Sequence, residues 1–416
     1  MRSAPLNEIE QLLERRDLKR AEIQLARYLR EELQPAERAD SLRLRARARL
    51  LSGRPDDALL DLKDALALQA SLAESPEFLE LRGDCQLARF ELASFGFADR
   101  ADTEQAASDY TRLLVLAPTW PNRSWVSYQQ ARICLSQNDM AAAMGHLQNA
   151  LLSPGTLPAL TAYCYERLSY IAFFDARNLT DALGYVSRAI ATYPAEHPRV
   201  WLSEVYTLRS RILRASHDYT QALESADMAL KIAGGCGPAG REALADAAQF
   251  AAEVAAEIPG RERDVVGYVQ QFSSASRRPV GIDVAWSRAQ ELLGDAYLRA
   301  GLAAEALEAY QAALRHNPLH PEELALYFQI ARCYYQLEDY PRAANAVTVL
   351  LRSADADEPV QRDFRVHALL ASALYALGDY ANSANAYRAA LLHAPAHADG
   401  LDGLQRYYQD AMERSE

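Results

Sequence analysis

Two pairs of histidines have the four-residue spacing at which a helix can hold two imidazoles on one metal ion. They are His316 with His320, and His393 with His397. Each pair straddles a proline, Pro318 or Pro395, which is expected to end a helix because proline has no N–H and clashes with the preceding turn. No nearby cysteine or third histidine completes a ligand set. We therefore expect no metal site and no cofactor.

Two motifs that are typical of phosphate binding and of a serine nucleophile are missing from the sequence. The sequence has no G-x-x-x-x-G-K-[ST] loop and no G-x-S-x-G elbow. The glycine-rich run 234–237 follows the predicted end of a helix rather than a strand, and it is interpreted as a helix stop and turn. Paired carboxylates such as Asp56 and Asp57 are common on an acidic helical surface. We predict no catalytic residue and no enzymatic activity.

Length and charge limit the remaining classes of function. With 416 residues the chain is longer than one hydrophobic core usually supports, which predicts several units or an open-ended stack. A formal net charge of −12 argues against a general binder of nucleic acid or anionic membrane, since both need a positive surface. A basic run is interpreted as a solvated helix face; its arginines are Arg43, Arg45, Arg47 and Arg49.

The five cysteines are scattered and form no C-x-x-C motif, so neither a zinc site nor a disulfide framework is expected. Reduced thiols fit a cytoplasmic location. No window of the sequence is long and apolar enough to span a membrane, and no signal peptide is recognised at the N-terminus. Abundant alanine and arginine with only three lysines indicate a GC-rich, bacterial genome.

The elements that position these residues follow from a recurring register of small and large apolar side chains. Its clearest copy reads Leu293-Gly294-Asp295-Ala296-Tyr297, Gly301, Ala306, Tyr310, Ala313-Leu314 and Pro318. Small residues such as Gly294 and Ala306 suit the close approach of two helices, and Gly301 or Gly378 suits a left-handed turn that ends the first helix. The register recurs at 324–352 and 364–395, and upstream at 163–194 and 203–233.

These residues resemble the tetratricopeptide repeat family, whose repeat is a helix pair of about 34 residues. The resemblance implies an all-α, right-handed superhelical solenoid of antiparallel pairs. We expect about nine or ten pairs over nearly the whole chain, with a capping helix at 398–413. The consensus is lost at 234–283, which predicts an N-terminal array at 1–233, a non-consensus pair and linker, and a C-terminal array at 284–416. An insertion is predicted at 91–101.

The resemblance also implies a binding surface, because certain positions of each first helix line the concave groove in this family. Arg47, Arg132, Arg211 and Arg332 fall at one such position, and arginine among aromatic residues is typical of binding hot spots. The alternative is that these arginines pair with carboxylates of adjacent repeats. The candidate partner-binding residues are Arg47, Trp125, Tyr128, Arg132, Arg167, Phe174, Arg211, Arg214, Arg332, Tyr335 and Tyr375.

The function expected from this resemblance is a non-enzymatic scaffold or adaptor that holds a protein or peptide in the groove. Arginine grips carboxylates in a bidentate way, so the partner is expected to present acidic or C-terminal carboxylate groups. The Lys and Asn residues with which some members clamp an acidic C-terminus could not be placed here. The alternative is a signal-responsive regulator that senses a peptide or small ligand and controls a separate effector protein.

Overall fold

The computed structural model describes residues 4–93, 99–194, 199–354, 358–395 and 397–415. Within these ranges the chain forms 21 α-helices and no strand, which confirms the all-α fold class. The residues fall into two compact units, Met1–His197 and Pro198–Glu416. None of the helices in the described ranges has the length and apolar character needed to cross a membrane.

Unit 1 contains five helix pairs, and in each pair a short connection lets the second helix pack back along the first. The pairs are α1 (Ala4–Glu14) with α2 (Leu18–Tyr28), α3 (Pro35–Leu51) with α4 (Pro55–Leu68), α5 (Pro76–Leu92) with α6 (Arg100–Leu116), α7 (Arg123–Ser136) with α8 (Met140–Leu152), and α9 (Pro158–Phe174) with α10 (Leu179–Thr192). The predicted 91–101 insertion lies between α5 and α6, and its residues 94–98 are outside the described ranges.

Unit 2 contains five further pairs and a final helix, α21 (Leu401–Ser415). The pairs are α11 (Arg199–Ala215) with α12 (Tyr219–Gly234), α13 (Arg241–Ala256) with α14 (Glu262–Ala275), α15 (Val284–Arg299) with α16 (Ala303–His316), α17 (Glu323–Gln336) with α18 (Tyr340–Ser353), and α19 (Phe364–Ala376) with α20 (Tyr380–His393). The predicted capping helix is present. The segment 234–283 lies inside unit 2, and its role as a domain boundary stays a prediction.

A left-handed residue ends the first helix in most pairs and sets up the second. Gly301 and Gly378 have φ of +78° and +79°, as predicted, and Asn138 and Glu338 take the same conformation. In several pairs the next residue is an aspartate or asparagine whose side chain accepts a hydrogen bond from a backbone N–H of the second helix. The turn and the cap are thus encoded by two adjacent residues.

Close packing inside a pair depends on glycine or alanine opposite a tyrosine. A Cβ on Gly294 would lie 2.6 Å from the Tyr310 ring, and one on Gly83 would lie 2.8 Å from the Tyr110 ring. The tyrosine rings are fully buried, and so is the reciprocal small residue Ala306. The small positions therefore let each ring fill the space between two helices.

The predicted solvated face of α3 is instead an ion-paired interface with α4. Arg45 donates to Asp61 through two bonds of 2.9 and 2.5 Å, and Arg49 lies 2.8 Å from the same carboxylate. Asp61 is buried, and an arginine held in this fork geometry satisfies both carboxylate oxygens. Arg43 pairs with Asp40 of its own helix. The basic run thus joins two helices, and only Arg47 is left without such a partner in the described structure.

Candidate partner-binding surface

The first helices of neighbouring pairs contact one another and form a layer within each unit. In unit 1 these contacts run through α1, α3, α5, α7 and α9; in unit 2 they run through α11, α13 and α15, and from α17 to α19. All the residues predicted to bind a partner belong to these helices. The candidate partner-binding residues therefore all lie in this first-helix layer.

Four of the predicted arginines share one place in their pairs, six residues before the left-handed residue of the turn. Each arginine and its turn residue are Arg47 with Gly53, Arg132 with Asn138, Arg211 with His217, and Arg332 with Glu338. Their surroundings differ, however. Equivalent backbone positions do not give equivalent charges at the surface.

Arg132 and Arg214 are each neutralised by a neighbouring pair. Arg132 binds Glu91 of α5 and donates to Gln129 Oε1 at 2.7 Å. Arg214 binds two carboxylates, Glu253 at 2.9 Å and Glu257 at 3.1 Å. For these two arginines the structure shows the pairing with adjacent repeats. Arg211 stacks instead on the Phe250 ring, 5.1 Å from its centroid.

Two aromatic candidates of unit 1 lie close to Arg132 of α7 and Arg167 of α9. Trp125 and Tyr128 pack with ring centroids 5.8 Å apart, and the Arg132 guanidinium lies 5.9 Å from the Tyr128 ring. Burial raises the pKa of Tyr128, and the nearby charge of Arg167 opposes that shift. Phe174 is 48% exposed at the end of α9. Trp125, Tyr128, Arg132 and Arg167 thus form one packed cluster, whereas Phe174 packs on Tyr170 and Phe173 of its own helix.

Asp84 of α5 was not predicted, although it occupies the arginine position of its pair. It follows Gly83 as Asp295 follows Gly294, and each aspartate accepts a 2.6 Å hydrogen bond from the tyrosine beside its glycine. The repeated Gly-Asp dipeptide was the signal that could have identified it. It was missed because α5 continues to Leu92 without the usual turn at that distance.

Glu80 lies one helical turn before Asp84 and receives neutral donors only. It accepts from Trp120 Nε1 at 2.5 Å and from Asn122 Nδ2 at 3.0 Å. Burial raises the pKa of Glu80 to about 7, and the charge of Asp84 adds to that shift while Arg47 opposes it. Burial also raises the pKa of Asp84. The first-helix layer of unit 1 therefore carries two carboxyls that hold their protons more readily than usual.

An open groove of unit 2 lies between α17, α19 and the start of α21. Its volume is about 880 Å³, and its apolar lining includes Leu324, Phe328, Leu369 and Leu404. Arg332, Tyr335, Gln329 and Ser372 supply polar groups to the same groove. The Arg332 guanidinium donates to Gln329 Oε1 at 2.7 Å, and no carboxylate among the described residues lies within ion-pair distance of it.

Tyr375, the last predicted contact residue, is covered by the capping helix. Its hydroxyl donates to Asp410 of α21, and the Arg414 guanidinium lies 5.5 Å from its ring. Tyr407 of the same helix packs at 5.7 Å between ring centroids. The structure thus separates Tyr375 from Arg332 and Tyr335, which face the groove.

The residues first considered for chemistry have structural partners. His393 stacks on His367 with centroids 5.5 Å apart, and His316 packs against Trp286. The glycine run continues to residue 240 and spells G-x-G-x-x-G at 235–240, a match not recognised from the sequence. It joins α12 to α13, with no strand before it in the described chain. A Cβ on Gly240 would lie 2.3 Å from the Ala233 carbonyl oxygen, so this glycine serves packing.

Comparison with known proteins identifies the repeat. Residues 291–359 and 364–397 match two family models that are both described as tetratricopeptide repeat. No curated protein matches the chain by sequence. The two matched segments contain α16 to α20 and more than half of α15, and they include most of the residues that line the groove of unit 2.

Solved structures resemble the chain at low identity. One is a signal transduction ATPase with numerous domains from Pyrococcus horikoshii that has a tetratricopeptide repeat sensor; it is 17% identical, with a TM-score of 0.55 over 91% of this chain and 55% of that one. A tetratricopeptide repeat protein from Parabacteroides merdae is 13% identical, with a TM-score of 0.40 over 70% of this chain and 99% of that one. At this identity the first likeness shows the fold alone. The chain spans about half of that ATPase.

Proposed function

We propose that this chain, a tetratricopeptide repeat protein, is a non-enzymatic scaffold or adaptor that binds a segment of a protein partner on its first-helix layer. The groove of unit 2 carries this proposal. Its lining is mostly apolar with a few convergent polar groups, which is the usual composition of a ligand site. An open groove of about 880 Å³ accommodates a few side chains of a peptide rather than a whole folded domain.

The chemistry of the groove favours a peptide with an apolar side chain next to a carboxylate. Leu324, Phe328 and Leu369 offer an apolar wall for the side chain. Arg332 keeps donors free because its described hydrogen bond goes to an amide, not to a carboxylate. A bidentate bond to an incoming carboxylate would complete its coordination. This supports the expected preference for acidic or C-terminal carboxylate groups.

The test uses Arg332→Ala and Phe328→Ala in the full chain, with Arg352→Ala as a matched control. Arg352 is an exposed arginine on α18, the second helix of the pair that begins with α17. Partner proteins are captured from native extract, and overlapping fragments of them identify the peptide that binds. The affinity of that peptide is then measured by fluorescence anisotropy. We expect each groove variant to weaken binding by about tenfold or more, as truncation of a hot-spot residue does.

Circular dichroism and thermal melting show whether the variants remain folded. Arg352→Ala is expected to bind as the wild type does. Unchanged affinity in both groove variants would remove the groove from the binding site. The same capture distinguishes the scaffold from the alternative, a signal-responsive regulator. A regulator would release or bind its effector protein when the peptide is added, whereas a scaffold would hold its partner whether or not the peptide is present.

A further inference from the structure

A second cleft, in unit 1, has a different chemistry from the groove of unit 2. It lies between α3, α5 and the segment before α7, and its volume is about 500 Å³. Leu50, Leu51 and Leu81 form apolar walls, and the Trp120 indole lies beside them. Glu80 and Asp84 contribute carboxyl groups from α5. The cleft thus combines a hydrocarbon wall, an aromatic ring and acidic groups.

The two carboxyls of this cleft differ from the other low-exposure acids of unit 1. Asp61, Asp102 and Asp109 are buried, and each pairs with an arginine of the first helix in its own pair. Glu80 and Asp84 remain partly accessible and, among the described residues, lie within ion-pair distance of no arginine or lysine. Carboxylates removed from bulk water are usually matched by a cation. In this cleft the hydrogen bonds from the described residues come from neutral donors only: Trp120 and Asn122 donate to Glu80, and Tyr110, Trp125 and Gln129 donate to Asp84.

The charged groups around this cleft come from four helices. Helix α1 contributes Glu10, and α5 contributes Glu77 in addition to Glu80 and Asp84. Helix α3 contributes Arg47 and Arg43, but Arg43 already binds Asp40. The charge of Arg132 on α7 also reaches Asp84, although Arg132 itself binds Glu91. Glu80 and Asp84 therefore face a single guanidinium that pairs with no carboxylate among the described residues, that of Arg47, and the lining is rich in carboxyl groups.

We propose that this cleft binds the side chain of a lysine presented by a partner protein, with its ammonium between Glu80 and Asp84. The hydrocarbon stem of lysine would lie along Leu50, Leu51 and Leu81, as such stems do on apolar surfaces. The Trp120 indole, whose N–H donates to Glu80, would flank that stem. A lysine fits better than an arginine because a compact ammonium can donate hydrogen bonds to two carboxylates one helical turn apart without needing a planar fork.

The probe is a capped pentapeptide with one central lysine between glycines and alanines, titrated into the full chain by saturation-transfer NMR. Its two matched peptides carry Nε-acetyl-lysine or norleucine at the same place. We expect the lysine peptide to bind at least about tenfold more tightly than either, since both matched peptides lack the ammonium and its charge-assisted hydrogen bonds. Glu80→Gln and Asp84→Asn should each lower the affinity by a similar factor.

The pH dependence gives a second readout that a purely structural role would not produce. Because the pKa of Glu80 is about 7, its ionised fraction rises from roughly a tenth at pH 6 to nine tenths at pH 8. Lysine affinity should therefore rise up to about tenfold over that range in the wild type and much less in Glu80→Gln. The control is Glu31→Gln, which removes an exposed carboxylate of the same unit.

Each result decides the proposal. Binding that depends on the free ammonium, on Glu80 and on pH would support it. Equal binding of the lysine and norleucine peptides, no saturation transfer to the lysine peptide, or wild-type affinity in both cleft variants would overturn it. Both substitutions keep an acceptor oxygen for Trp120 and Tyr110, so the fold is expected to survive. Circular dichroism and the melting temperature verify that it does.

Discussion

Gly294 lies so close to the ring of Tyr310 that any larger residue would have to displace the ring. The ring has little freedom to move, because it is fully buried and its hydroxyl donates to Asp295 at 2.6 Å. We predict that Gly294→Ala lowers the free energy of unfolding by about 1–3 kcal/mol, the usual cost of overpacking. Urea unfolding monitored by circular dichroism measures the change.

The matched control is Gly267→Ala in α14 of the same unit. Gly267 is also a helical glycine, but a Cβ there would meet no atom within 4 Å. Alanine should therefore stabilise this helix by up to about 1 kcal/mol through its higher helix propensity. If both substitutions stabilised the protein, the contact between Gly294 and Tyr310 would not be a packing constraint.

Individual residues were predictable from the sequence only where their role depends on near neighbours. Gly301 and Gly378 could be identified because the turn they form is local. Glu80 could not, since its hydrogen-bond donors Trp120 and Asn122 are 40 and 42 residues away. Arg132 and Arg332 looked equivalent in the repeat register, yet Glu91, which neutralises Arg132, is 41 residues distant. Charge compensation between pairs is not visible in a single repeat.

The two helices of a pair in unit 1 are held together by ion pairs to a buried aspartate as well as by apolar packing. Asp61 of α4 accepts from both Arg45 and Arg49 of α3. We predict that Asp61→Asn lowers the free energy of unfolding by about 2–4 kcal/mol, because it leaves two guanidinium groups without their anion at this interface. The loss of stability is expected to be smaller than for a fully buried ion pair, because the two arginines are about a quarter exposed.

Asp64→Asn is the control for this element, since Asp64 is an exposed aspartate on the same helix. Its replacement should change stability by no more than about 0.5 kcal/mol. Raising the salt concentration should affect the wild type only slightly, because pairs of low exposure are weakly screened. Similar losses in the two variants would show that the effect comes from the net charge of α4 and not from the pairing.

The succession of helices could be predicted from the sequence because residues close to each helix end, such as proline and glycine, determine where the helix stops. Among the second helices, α16 ends at His316 and α20 ends at His393, each two residues before a predicted stop proline, Pro318 or Pro395. The sequence pattern predicted about nine or ten pairs and a capping helix, and the described residues form ten pairs and that helix. It gave no comparable information on the grooves, because their walls come from helices of different pairs that meet only in the folded chain.

At the scale of the whole molecule, the sequence and the structure divide the chain at different places. Loss of the consensus placed a boundary at 234–283, whereas the compact units divide after His197. Several bonds tie the segment after α14 to its surroundings: Arg241 Nε donates to the Ala275 carbonyl at 2.7 Å, and Asp283 N–H donates to the His316 carbonyl at 2.8 Å. Trp286 also packs on Phe272, with ring centroids 5.4 Å apart.

These contacts predict how fragments behave, because a helix stack loses stability when an internal neighbour is removed. We expect residues 199–416 to unfold cooperatively as an isolated fragment, and residues 284–416 to melt at a clearly lower temperature. In the shorter fragment α15 loses both α13 and α14, which exposes the face that they cover. Residues 1–194, which contain their own hydrophobic clusters, should also fold alone. Calorimetry of the three fragments tests this: equal melting temperatures for 199–416 and 284–416 would instead favour the boundary at 234–283.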